Sequence, residues 1–324
     1  TEHVLRVIHE NKDLLKFLVT LFNSLIGRLL SDIAWYGALQ PELDRKIVEQ
    51  IPVPVAPAHI LNKVIELLNS AYKLEVEAWR MYFKAMKIVK EELDIRDVGI
   101  TNISTFTIMK QIGKINAIMY LTLGLLSELG KGNIQYINQL YDICSGTAPS
   151  SRKYEKTCKG QKYISTKSVD ESSYIDEDKF YYYSGNLKTR NLAKQGSLVI
   201  LKNAHAVEAL GKMGIVYPYD NMPAISDLYI LNPKPSIEEY ASFYVVAFSK
   251  TKLFKHIIRS LAYGLTAHIK VDDLAKIPIP FIDQWKDVAE HIKDFIEGLY
   301  KADQFKRQAI IELENYILEL VSKS

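Results

Sequence analysis

Cysteine is nearly absent. Cys144 and Cys158 are the two in 324 residues, with no CxxC spacing and no His pair beside them. That pattern excludes a zinc finger or ribbon and argues against a disulfide framework, so a reducing, cytoplasmic setting is expected. Long apolar runs are also lacking. The uncharged run Phe17 to Gly27 is too short to cross a bilayer. No signal peptide is visible, and no membrane partner is expected. Nucleotide and metalloprotease signatures (GxxxxGK[ST], HExxH) are missing. Gly211-Lys212-Met213-Gly214 is a GxxG that opens no clear helix. Asn232-Pro233-Lys234-Pro235 lacks the aromatic that a base-flipping methyltransferase needs after its prolines, so it reads as a turn. His205 and His268 are accompanied by no nucleophile and orienting acid. The acidic stretch 170–178 reads as a solvated loop. No catalytic residue, metal or cofactor is assigned, and a non-enzyme is expected. An excess of one charge sign is missing too: 41 Lys and Arg stand against 38 Asp and Glu, so any electrostatic argument must be local.

What is present is a repeat. Ala34-Trp35-Tyr36-Gly37-Ala38-Leu39 is followed by Ile47 and by Ile51-Pro52-Val53-Pro54. Leu261-Ala262-Tyr263-Gly264-Leu265-Thr266 is followed by Leu274 and by Ile277-Pro278-Ile279-Pro280. An apolar helical pattern precedes each copy, over 14–30 and 239–261, and a long helical pattern follows each. Order and spacing agree, so the chain reads as two equivalent units. The second is complete. The tail of the first is present, and the period places its body ahead of Thr1.

The patterns after the Pro-x-Pro pairs carry heptads. Ile60, Val64, Leu67, Ala71, Leu74, Ala78, Met81, Ala85 and Ile88 alternate steps of four and three. A helix from Pro57 to Asp94 would run roughly 55 Å at about 1.5 Å per residue. The second seam is Trp285, Val288, Ile292, Phe295, Leu299, Ala302, Ala309, Leu313, Tyr316 and Leu320, with Lys306 interrupting it and Gly298 outside it. The two seams pack on each other or each on a partner protein. The first is simpler, and the small Ala71, Ala78 and Ala85 favour close approach. An antiparallel coiled coil is expected.

Between the heptads the signals are mixed. Residues 113–129 read as helix. Short strands are expected at 162–165, 180–184, 197–202, 214–218 and 227–231, punctuated by Ser, Gly, Asn and Asp. The fold class is therefore α+β, a small mixed sheet with helices joined to two long helices. Basic residues cluster in loops here. Arg152, Lys153 and Lys156 lie in one, Lys188 and Arg190 in a second, Lys202 with Asn203 and His205 after it. The run 250–270 holds Lys250, Lys252, Lys255, Arg259 and Lys270 with no acid, and ends near Thr266 and His268. Lysines suit phosphates. Arg, Asn, Thr and His suit base edges. The candidate DNA-binding set is Arg152, Lys153, Lys156, Lys188, Arg190, Lys202, Asn203, His205, Thr266 and His268.

These motifs resemble a known family. Leu140-Tyr141-Asp142-Ile143 with Gly146-Thr147-Ala148-Pro149-Ser150 resembles the opening of a target recognition domain in the specificity (S) subunit of a type I restriction–modification system. Tyr163-Ile164-Ser165 resembles its next strand. Gly196-Ser197-Leu198-Val199-Ile200 resembles a later one, with Ser197 where the family has Asp. Gly211–Val216 resembles the segment after it. Tyr263-Gly264, the second Pro-x-Pro, Gln284 and the following helix resemble its end. The resemblance assigns 1–57 to the C-terminal remnant of a first recognition domain and 58–97 to the first conserved helix. It assigns 98–282 to the second recognition domain and 283–324 to the second conserved helix.

The resemblance implies a sequence-specific subunit that reads one half of a split double-stranded DNA site per recognition domain. Its helices would space the halves and dock methyltransferase (M) subunits, and a restriction (R) subunit would join to cleave. Two other readings remain open: the recognition region of a fused single-chain restriction–modification enzyme, and a coiled-coil scaffold that binds protein.

Overall fold

In the computed structural model, the described residues are 7–33, 35–36, 42–43, 45–93, 133–147, 154–155, 160–183, 191–264 and 267–323. They fall into two units. One is built from the chain up to Ala78 together with Gly298 onward, the other from Trp79 to Glu297. The helix expected over 113–129 lies outside the described residues.

The first unit begins with α1 (Lys12–Asn23) and α2 (Leu25–Ile33). The apolar stretch 14–30 reads as one helix, and the structure breaks it at Ser24. The Ser24 hydroxyl donates to the Leu21 carbonyl at 2.6 Å and accepts from the Gly27 N–H at 3.0 Å. It ends one helix and begins the next, because a short hydroxyl side chain competes with the backbone for its own hydrogen bonds. A two-stranded ribbon follows, β1 (Trp35–Tyr36) against β2 (Glu42–Leu43), then a short α3 (Arg45–Val48). The long α4 (Ala58–Glu92) starts after the first Pro-x-Pro.

The second unit carries β3 (Asn133–Tyr136), α5 (Ile137–Leu140), β4 (Tyr141–Ser145), β5 (Tyr154–Glu155), β6 (Gln161–Tyr163), β7 (Tyr181–Tyr183), β8 (Leu192–Ala193), β9 (Leu198–Leu201) and β10 (Asn203–Ala204). It continues through β11 (Met213–Ile215), β12 (Met222–Pro223), β13 (Leu228–Pro233), α6 (Ala241–Ser249), α7 (Lys252–Leu261), β14 (Ala267–His268), α8 (Val271–Ala275) and β15 (Pro278–Phe281). The last helix, α9 (Trp285–Lys323), begins here and ends in the first unit.

Its centre is an antiparallel sheet in the order β11-β9-β13-β4. All of β9 is buried, as is Leu228–Leu231 of β13. Every residue of α6 is buried and the helix packs on β11. A helix apolar on all sides can exist in water only inside a core. The 239–261 pattern, read as one helix, is two. Thr251 separates them, its hydroxyl accepting from the Phe254 N–H at 3.1 Å and so capping α7. Of Asn232-Pro233-Lys234-Pro235, read as a turn, the first two residues are the end of β13, with Pro233 opposite Tyr141, and the turn follows them, closed by the Ile237 N–H donating to the Lys234 carbonyl at 2.9 Å.

The second Pro-x-Pro is β15, paired with β3 so that Ile279 faces Gln135 and Phe281 faces Asn133. Prolines two residues apart put their missing N–H groups on one side of a strand. The ladder with β3 therefore keeps its donors.

The long helices run antiparallel within each unit. In the first, Val64 and Leu67 of α4 join Ala309 and Leu313 of α9, with Phe17 and Leu21 of α1, in one buried cluster. Lys306, the polar break in the second seam, pairs with Glu75. In the second unit, Trp79 and Tyr82 lie 4.9 and 5.1 Å from the Phe295 ring, and Gln284 donates to Glu92. Numbers rise along one helix as they fall along the other. Gly298 is the exception to the seam reading. An added Cβ there would stand 2.7 Å from the Ala78 Cβ, so the glycine is a contact position. Leu320, read as the last seam residue, is 43% exposed.

Overpacking this contact should be costly. Gly298→Leu should lower stability by about 1–3 kcal/mol despite its better helix propensity. The exchange Ala78→Gly with Gly298→Ala keeps the volume and should stay close to the parent in thermal unfolding. A Gly298→Leu melt at or above the parent would refute the contact.

Candidate nucleic-acid interface

Four of the ten candidate residues fall among those described, and three of them meet. β9 leaves the core at Leu201, and the next residues are Lys202 and the two of β10. Asn203 pairs directly with His268 of β14. The Ile269 N–H donates to the Lys202 carbonyl at 3.1 Å, locking the two segments together. His205 lies exposed just past the end of β10. Arg152, Lys153, Lys156, Lys188, Arg190 and Thr266 lie outside the described residues.

The hydrogen bonds around Asn203 fix their own direction. Asp227 is a carboxylate and can only accept, so the Asn203 Nδ2 amide faces it, at 2.9 Å. The Asn203 Oδ1 is then turned to His268, 2.6 Å from its Nδ1. An amide oxygen only accepts, so Nδ1 carries the proton and donates. In the neutral ring, Nε2 is left as an acceptor. No hydrogen bond to Nε2 is found among the described residues.

Tyr263 flanks this imidazole. Its backbone exchanges two hydrogen bonds with His268, at 3.0 and 3.1 Å. Gly264 takes φ +84°, a left-handed turn that a side chain would resist. That turn sets the Tyr263 ring 5.7 Å from the His268 ring. The ring is 46% exposed, and Lys270 Nζ sits 5.1 Å from its centroid. The second Tyr-Gly dipeptide of the repeat thus has a structural role, since it turns the chain and presents an aromatic beside a histidine.

Lys202 is more committed. Its Nζ donates to Ser145 Oγ at 3.1 Å and lies 4.7 Å from the Tyr229 ring centroid. Burial holds its ammonium below the usual lysine range, with Asp227 partly opposing. The Tyr229 hydroxyl donates to the Ile269 carbonyl at 3.1 Å. Burial, then Tyr263 and Asp272, push this phenol up. Cys144 on β4 is a free thiol, raised by burial and then by Asp142, and so poorly reactive. Cys158 lies outside the described residues. Among the described residues no His, Cys, Asp and Glu group could hold a metal ion, and no single helix is long and apolar enough to cross a membrane.

Sequence reasoning missed Ser145, Asp227, Tyr229, Tyr263 and Lys270 as members of this cluster. Tyr263 carried a signal, its recurrence in the repeat. Lys270 closed the acid-free run. Nothing in the sequence pointed to Asp227, which acts through a neighbour reached only by strand pairing.

The architecture is an α+β body with a small antiparallel sheet, on two long antiparallel helices. Solved structures with a similar arrangement include the HsdS subunit from Thermoanaerobacter tengcongensis, 15% identical, with 92% of this chain and 68% of that one aligned and a TM-score of 0.35. A second is the type I restriction–modification S subunit from M. genitalium, at 12% identity, 92% and 69% coverage and a TM-score of 0.35. A third comes from a structural study of assembly and conformational transition in the type I R-M system, at 16% identity, 92% and 70% coverage and a TM-score of 0.36. The chain is similar to type I S subunits, the family its motifs resemble. No protein-family model and no curated protein matches the sequence.

Asn203→Ala tests the hydrogen-bond direction. It strands both the Asp227 carboxylate and the His268 N–H, which should cost about 1–3 kcal/mol. In imidazole nitrogen NMR the parent should show His268 as one Nδ1–H tautomer, and the variant a mixture. A mixture already present in the parent would overturn the assignment.

Proposed function

We propose that this chain is a non-catalytic, sequence-specific double-stranded DNA recognition subunit of a type I restriction–modification complex. The observation that carries the proposal is the His268 imidazole, held in one tautomer by Asn203 and Asp227 beside the exposed Tyr263 and Lys270. Such a group is suited to reading a base edge. Nε2 as an acceptor favours an exocyclic amino group, as on adenine N6 or cytosine N4. Lys270 supplies charge for a neighbouring phosphate. Asn203, with both ends of its amide engaged, acts by orienting His268. The sequence motifs 140–150, 163–165, 196–200 and 211–216 support the same family.

The finer parts of the proposal follow from the motif resemblance. Residues 98–282 would be one recognition domain and 1–57 the end of another, so that the complete site is split. The conserved helices 58–97 and 283–324 would dock M subunits, with an R subunit joining for cleavage. The basic loops holding Arg152, Lys153, Lys156, Lys188 and Arg190, with Lys202, His205 and Thr266, complete the proposed DNA-facing set.

Selection of bound duplexes from a random pool, with the cognate M subunit present, tests the reading. An enriched sequence is expected. With that duplex, His268→Ala should lose discrimination at one base pair, by about 1–3 kcal/mol. Lys270→Ala should weaken all duplexes alike and reduce the salt slope by about one. No mobility shift with any duplex at low salt would sink the proposal and favour a protein-binding scaffold.

A further inference from the structure

A second group of basic residues forms a pocket that the reading above does not use. It lies in the second unit and encloses about 260 Å³. Its wall comes from three parts of the chain: Glu171, the Leu210–Met213 turn, and α7 with the residues before it. Four cations line it, Lys212, Lys250, Lys255 and Arg259, against two carboxylates, Glu171 and Glu208. One carboxylate is already matched, since Lys212 pairs with Glu171 at 3.1 Å. Burial works to raise the Glu171 carboxyl, but Lys212, Lys250 and Lys255 outweigh it and hold it low. That leaves a net excess of positive charge facing a space large enough for a small anion.

The backbone is shaped to make this space. Gly211 adopts φ +76°, and a Cβ there would stand 2.5 Å from Ile258 Cγ2. The glycine lets the turn lie directly on α7. Leu210, Met213, Phe254 and Ile258 form the apolar floor. Amines over an apolar floor are poorly hydrated, which strengthens their attraction to an anion.

We propose that this pocket binds a phosphate group, with Lys250 and Lys255 as its main contacts and Arg259 beside them. Phosphate offers three or more acceptor oxygens, which several converging amines can satisfy together. The phosphate is either free, as inorganic phosphate or a small phosphate ester, or part of a DNA backbone.

A linked proton gives the pocket a signature. Burial lowers the Lys250 ammonium to about 8, with Lys255 and Lys212 adding to the fall and Glu171 and Asp170 opposing it. Asp170 itself lies 3.7 Å from Lys179, and Glu208 and Arg259 complete the charges at the wall. A bound anion favours the protonated amine. Phosphate binding near pH 8 should therefore take up a proton, and affinity should fall as pH rises above about 8.

The test uses the full chain and inorganic phosphate, followed by phosphorus NMR and by calorimetry in buffers of different ionisation heat. Saturable binding with proton uptake is expected. Lys250→Met should weaken it about tenfold, the loss of one charge-assisted hydrogen bond, and remove the pH-dependent fall. Lys255→Gln should weaken it with the pH-dependent fall retained, and Lys276→Met should leave it unchanged. A second arm measures the salt slope of DNA binding. An unchanged slope in Lys250→Met alongside lost phosphate binding assigns a free phosphate. A slope lower by about one assigns a backbone phosphate. No saturable phosphate binding, together with an unchanged slope, overturns the proposal. The phosphate arm needs no DNA, so its outcome is separate from that of the recognition reading.

Discussion

Two helices can approach closely only where their side chains are small, and that steric limit governs this chain. α4 places Ala71, Ala78 and Ala85 on its buried stripe, and α9 answers with Gly298, Ala302 and Ala309. In the first unit Val64, Leu67 and Leu313 pack with Phe17 and Leu21 in one buried cluster. In the second unit the same helices bring aromatics together, with Phe295 beside Trp79 and Tyr82. The same two helices thus serve both units with different packing chemistry. Ring contacts are added in the second unit, where Ala85 continues the stripe of small residues.

The Asn203–His268 cluster rests on a chain of one-way hydrogen bonds. Asp227 cannot donate, so it orients an amide; the amide oxygen cannot donate, so it orients an imidazole. Each step removes a choice from the next group. The supporting frame is rigid where it matters, since β9 and β13 are buried and Lys202 and Asn203 follow directly from β9. A group proposed to read a base needs that kind of support, because a loosely held side chain would accept several bases equally.

Periodicity made the long helices legible, down to individual seam positions such as Val64, Ala78 and Leu313. Five short strands were legible, Leu198–Leu201 and Leu228–Pro233 to within a residue or two because turn residues bracket them, whereas 214–218 overshot Met213–Ile215 and the strands at Asn133–Tyr136, Tyr141–Ser145 and Pro278–Phe281 were not singled out. The sequence was less clear wherever a single polar side chain overruled an apolar pattern. Ser24 and Thr251 each split a continuous stripe, since a hydroxyl within reach of the backbone offers a competing partner. Gly298 was misplaced because a heptad count records apolar residues and a glycine leaves no mark in it. Lys202, Asn203 and His268, which the structure brings together, had been singled out from residue type and charge. Asp227 and Tyr229 were not, because their roles arise from strand pairing between distant segments.

The β15 strand has one further consequence. Its ladder with β3 uses the side bearing Ile279 and Phe281. The opposite side presents Pro278 and Pro280, which have no hydrogen to offer, and the Pro280 carbonyl already accepts from the Tyr244 hydroxyl. An incoming chain seeking to extend this ribbon would find no donor at either proline. The proline pair therefore withholds the donors on which strand addition depends, within the same short motif that leads into the long helix.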